Sequence, residues 1–260
     1  PHLCRVYATG LRGAVSDILR RYFWTAYDHL GGIVAYNLLW SLLSLPWIGA
    51  AYMLLRFGFS LGGLFLPGAV VLAGVLLFGS PATVLLFIVC AYWARGDEFN
   101  MREILLTGRR LFWRATALGG SLIVVTSLIL VNMFFYQQLG GWLGALLSGL
   151  MIWLLLLAGI MALYLFPVLV TQEGSVWATL RQSLLLAVDN LKWSLTLLLG
   201  AIFFLAVGLA SGLGLFCGVM TAWALLMSMG LRALLPKYTG EALPVEVPRG
   251  LRELIRPWEL

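Results

Sequence analysis

Long charge-free apolar runs alternate along the chain with short segments that hold nearly every ionisable residue. The runs occupy roughly residues 30–55, 57–94, 115–171 and 193–231. One helical crossing of a bilayer needs about 20 apolar residues, so each run is long enough for one or two. The third run divides at "QQLGG" (137–141), the fourth at "ASGLG" (210–214), and the first two flank Arg56. The pattern predicts an all-α polytopic membrane protein with six transmembrane spans arranged as three hairpins: one about Arg56, one over 115–136 and 142–170, and one over 193–210 and 213–233.

The segments before the hairpins have a helical rather than an alternating period. Leu11, Ala14, Ile18, Leu19, Tyr22 and Phe23 fall on one face, with Arg12, Asp17, Arg20 and Arg21 opposite. Met101, Ile104, Leu105, Gly108, Leu111 and Phe112 repeat that spacing against Arg102, Glu103, Arg109 and Arg110. Val176, Trp177, Leu180, Leu184, Ala187 and Val188 form a third such face, and Val247, Leu251, Leu254, Ile255 and Trp258 a fourth. A basic amphipathic helix beside a span typically lies in the membrane interface. Two of these stretches end in nearly the same words, "RRYFW" (20–24) and "RRLFW" (109–113), and a glycine motif follows each: "HLGG" (29–32) and "ALGG" (117–120), with "LLLG" (197–200) in the third copy. The chain therefore divides into three repeats of an interfacial helix and a hairpin, over 10–95, 96–171 and 172–235, with a closing interfacial segment at 236–260. Arg20, Arg21, Arg109 and Arg110 are expected to meet anionic lipid headgroups, and Trp24, Trp113 and Trp193 to sit at the headgroup level.

Composition strengthens this picture. The chain is 62% hydrophobic and 11% charged, whereas a soluble domain is about 45–50% apolar and about 25% charged. Sixteen of the seventeen Lys and Arg residues, and all eleven acidic ones, fall in 1–29, 95–114, 172–192 and 232–260; Arg56 stands alone. The positive-inside rule then places both termini and the two long loops in the cytoplasm. The net charge of +6 is accounted for by topology and anionic lipid, and no nucleic-acid partner is expected.

"NLLWSLLSLP" (37–46), "GSPATVLLFIVCAYWARGDEF" (79–99), "YLFPVLV" (164–170) and "LRQSLLLAVDNLKWSL" (180–195) resemble the YesL-like family of bacterial membrane proteins. The resemblance implies a six-span protein of the bacterial cytoplasmic membrane associated with carbohydrate uptake systems of the ABC type. It carries over no catalytic residue. The chain departs from the family between Pro46 and Gly79, where about thirty residues replace a few.

That insertion makes the first hairpin too long. From Trp24 to Leu55 and from Leu64 to Arg95 are 32 residues each, about 48 Å as helix against a hydrocarbon core of about 30 Å. Pro46, Pro67 and "GSP" (79–81) can kink the spans. The alternatives are a segment 47–79 that folds back into the bilayer and one that projects and docks on a membrane-protein partner; docking is the expectation.

Few residues offer chemistry. The spans contain no carboxylate, histidine or base of the kind that ion-coupled transport uses. The three cysteines, Cys4, Cys90 and Cys217, form no CxxC motif, the only histidines are His2 and His29, and no GxxxxGK[ST] loop occurs. No catalytic residue, metal site or cofactor is expected. Asn37 and Asn132 are the intramembrane polar side chains most able to make interhelical hydrogen bonds or touch a substrate. The "GxxxG" pair Gly140 and Gly144 reads as helix packing. The leading expectation is a non-enzymatic accessory or scaffold subunit of a membrane complex. The alternative is a transporter or lipid-handling protein with a cavity between the hairpins.

Overall fold

The computed structural model describes residues 11–61, 65–210 and 214–240. The closing amphipathic stretch from 241 onward, with Trp258, and Cys4 lie outside the described residues. The described chain is all-helical, and no strand occurs among its residues. In order the helices are α1 (Leu11–Asp28), α2 (Leu30–Leu43), α3 (Leu45–Leu61), α4 (Leu66–Phe78), α5 (Thr83–Arg95), α6 (Met101–Leu139), α7 (Gly141–Gln172), α8 (Val176–Asp189), α9 (Leu191–Ala210), the short α10 (Gly214–Cys217) and α11 (Val219–Thr239). Four helices, α6, α7, α9 and α11, are long and apolar enough to cross a membrane. Two bent pairs, α2 with α3 and α4 with α5, bring the number to as many as six.

Both bends fall where proline removes a backbone donor and its ring crowds the carbonyl four residues back. Pro46 opens the helix at Ser44, where α2 and α3 meet at 72°. Pro81 ends the run of helical bonds at Gly79, and α4 and α5 diverge by 65°. These bends take up the excess length of the first hairpin. α3 and α4 pack together where Gly58 meets Ala69, and Phe65, just before α4, stacks on Phe134 of α6 at 4.8 Å.

At the second repeat the structure corrects the expected arrangement. α6 is one helix of 39 residues, about 58 Å long, and does not hinge at "RRLFW". Asn100 caps its start by accepting from the Arg102 amide at 3.1 Å, and Glu103 lies in its first turn. Between Met101 and Leu139 no proline interrupts it. The apolar face of 101–113 is split: Ile104, Gly108 and Leu111 are buried, with Gly108 leaving room for Leu85 of α5, while Met101, Leu105 and Phe112 are exposed. α6 and α7 turn about Gly140 and Gly141, both at positive φ, where a side chain would be strained. The expected packing of Gly144 holds, since a Cβ there would stand 2.6 Å from the Tyr136 carbonyl oxygen.

α8 keeps its helical period but buries a different face from the expected one. Its small residues Thr179, Ser183 and Ala187 are buried, while Trp177, Leu185 and Val188 are exposed. Close approach of two helices selects small side chains, so bulk is turned outward.

α11 is the central helix. Two thirds of its apolar window is buried inside the protein, against a third or less for α6, α7 and α9. Its start lies beside α1 and the last turns of α5. Tyr22 donates to the Ala222 carbonyl at 3.1 Å, and Cys90 to the Thr221 carbonyl at 3.6 Å. Helices of the segment 10–95 thus pack around the start of α11. Each copy of the repeated glycine motif contributes a glycine at a close contact. A Cβ on Gly32 would press on the Trp93 ring, on Gly119 it would overlap the Gly79 carbonyl, and on Gly200 it would meet Leu226.

Candidate functional site

The densest buried polar feature is a string of side chains on one face of α2. Asn37, Trp40, Ser41 and Ser44 recur every three or four residues and are all buried. The Asn37 carbonyl oxygen accepts from the backbone amides of Met220 and Thr221 at 3.0 and 3.2 Å. A helix start leaves its first amides without partners, and Gly218, the residue before α11, has no side chain to cap them. Asn37 therefore caps α11 from another helix. Trp40 donates to the Thr83 hydroxyl at 3.0 Å, and the hydroxyls of Ser44 and Ser80 are 2.7 Å apart. The bends of α2–α3 and α4–α5 thus touch each other. Gly79 meets Gly119 of α6 backbone to backbone at the same point. Ser41 is buried and its hydroxyl has no partner.

Next to this string the interior is filled by rings. Phe78, Phe87, Phe166 and Trp223 come from α4, α5, α7 and α11, with neighbouring centroids 4.8 to 6.4 Å apart. Edge-to-face and stacked pairs at such distances pack a core closely.

The sequence-predicted residues separate into groups. Asn37 makes interhelical contacts, but Asn132 does not: its amide donates to the Leu128 carbonyl of its own helix at 2.8 Å. Trp193, expected at the headgroup level, packs inside the protein. It is buried, and its indole donates to the Gly230 carbonyl at 3.1 Å, because Gly230 lets α9 come close. Trp113 is 77% exposed and Trp24 half-buried. Arg20 and Arg109 are exposed and Arg21 is half-buried. Arg110 is also exposed, yet its guanidinium is held 2.5 Å from a Glu173 carboxylate oxygen, and Arg114 donates to the Glu173 carbonyl. The pair reduces what Arg110 can offer a lipid, because the end of α7 lies beside the early part of α6 and brings Glu173 against it. Asp189 is held by Lys237 at 2.6 Å and by the Tyr238 hydroxyl. These hydrogen bonds, from Lys237 first and then Tyr238, keep its carboxyl below the usual range.

Ser41, Ser44, Ser80 and Thr83 were missed as a group by sequence reasoning. The signal was present for the first two, because polar residues at helical spacing in "NLLWSLLS" share the face of Asn37. Among the described residues no group of three His, Cys, Asp or Glu side chains could hold a metal ion. A cleft of about 200 Å³ opens between α3, α4 and α6, with an almost wholly apolar lining.

The chain was compared with family models, with curated proteins and with solved structures, and none matches it.

Proposed function

We propose that this protein is a non-enzymatic accessory or scaffold subunit of a membrane complex, linked through its YesL-like resemblance to ABC-type carbohydrate uptake. The observation that carries the reading is the ring cluster of Phe78, Phe87, Phe166 and Trp223. It fills the place where helices of all three repeats meet, where a solute path between hairpins would run. A packed junction with apolar outer faces suits a protein that holds others in place.

In this reading the chain crosses the bacterial cytoplasmic membrane six times as three hairpins, each bent pair counting once, with both termini cytoplasmic. Tyr22 is carried below the headgroup level to reach Ala222. Two ion pairs support a common side for the charged segments. Arg110 with Glu173, and Lys237 with Asp189, join loops and helix ends that the charge pattern assigns to one face. Purification in mild detergent tests the function. A membrane-protein partner at fixed stoichiometry is expected; a partner-free protein that moves sugars or ions across liposomes overturns it. Reporter fusions at the two ends test the topology, and a periplasm-only reporter active at either end refutes it.

A further inference from the structure

We infer that the cleft between α3, α4 and α6 holds one acyl chain of a membrane lipid as a specific, retained ligand. The inference does not depend on the accessory reading. α3 and α4 approach closely at Gly58 and Ala69, and Gly68 faces the Phe134 ring with space for little more than a methyl group. Gly58, Gly68 and Ala69 add little bulk to the trough between these helices, whose volume among the described residues is about 200 Å³. Leu54, Leu72 and Leu130 form its walls, and the stacked Phe65 and Phe134 rings close one end. Ser127 is the one hydroxyl in the lining.

That lining decides the class of occupant. A sugar, peptide or ion would lose its hydrogen bonds to water and gain one hydroxyl in return. A hydrocarbon chain loses nothing and gains close contacts. The α6 wall, residues 127–134, lies inside the charge-free run of a candidate span. At the mouth Phe57 and Val131 are 61% and 65% exposed, so the trough is continuous with the apolar surface that bilayer hydrocarbon covers. The space admits a single chain and is too small for a helix.

The test uses the full chain in nanodiscs of phosphatidylethanolamine that carries a photoactivatable diazirine near the end of one acyl chain. Adducts are mapped by peptide mass spectrometry. They are expected to concentrate on 54–61, 65–72 and 127–134, above the level on Trp142 to Trp153 of α7, which is as exposed to lipid. Ser127→Phe and Leu72→Trp fill the trough from opposite walls, and each is expected to lose the excess adducts while eluting as the wild type does. An even spread of adducts over all lipid-facing helices in the wild type means ordinary surrounding lipid only and overturns the inference. So does an excess that persists in both filled variants.

Discussion

Asn37 and Asn132 are the same residue type in apolar runs of similar character, yet only Asn37 reaches another helix. Its oxygen serves two amides of α11 that have no side-chain cap of their own. Asn37→Ala leaves buried donors unpaired, which costs about 1–3 kcal/mol. A thermal or SDS titration of the purified protein is expected to show that loss, while Asn132→Ala stays within about 0.5 kcal/mol of wild type. Neighbouring glycines offer a second contrast. A Cβ on Gly119 overlaps the Gly79 carbonyl, whereas Gly120 has open space around it. Gly119→Ala must force α6 away from the bend and is expected to cost about 1–3 kcal/mol. Gly120→Ala is expected to stabilise the helix by up to about 1 kcal/mol. The motif "ALGG" was legible as a repeat, but which of its glycines is indispensable depends on what lies opposite.

Between elements, sequence reading placed the amphipathic segments well and their partners poorly. Periodicity shows that a helix has an apolar face; it does not show whether lipid or protein covers that face. In 101–113 only Ile104, Gly108 and Leu111 are covered by protein, and for α8 the buried stripe is the one with small side chains. Within 47–79, α4 buries Gly68 and Ala69, while Tyr52, Met53, Phe57 and Phe59 of α3 are exposed. Deleting 57–78 would bare Leu130, which is 6% exposed, and the adjoining Phe134. The truncated protein is expected to lose thermal stability in its second hairpin, and chymotryptic cleavage at Phe134, Phe135 or Tyr136 would report it. At the junction of α8, α9 and α11, the depressed Asp189 carboxyl gives a pH dependence. A folded-state pKa below the unfolded value means a contribution present above the unfolded pKa and lost as pH falls through the folded one. Stability is expected to decline below about pH 4, and Asp189→Asn should remove that part of the decline in melts recorded across the range.

Across the whole molecule, the charge pattern and the ion pairs bear on the same surface. Arg20, Arg21 and Arg109 remain the proposed lipid contacts, while Arg110 is shared with Glu173. Arg109→Gln is expected to weaken association with vesicles containing phosphatidylglycerol, and Arg110→Gln is expected to change it less. Equal effects in a flotation assay would remove the distinction. By itself the sequence determined that the chain is helical with runs long and apolar enough to cross a membrane, where those runs divide, and which segments carry charge. Those properties follow from the length and polarity of contiguous residues, to which the bilayer responds directly. Tertiary structure alone decided that α11 lies at the centre, that Trp193, Ile104 and Leu111 are buried, and that the two proline bends meet at Ser44 and Ser80. Inside hydrocarbon one apolar helix face costs little more to expose than another, so hydrophobicity does not choose the neighbour. The choice falls to shape and to a few hydrogen bonds: a glycine opposite a ring, a small residue opposite a backbone, and one asparagine opposite an uncapped helix.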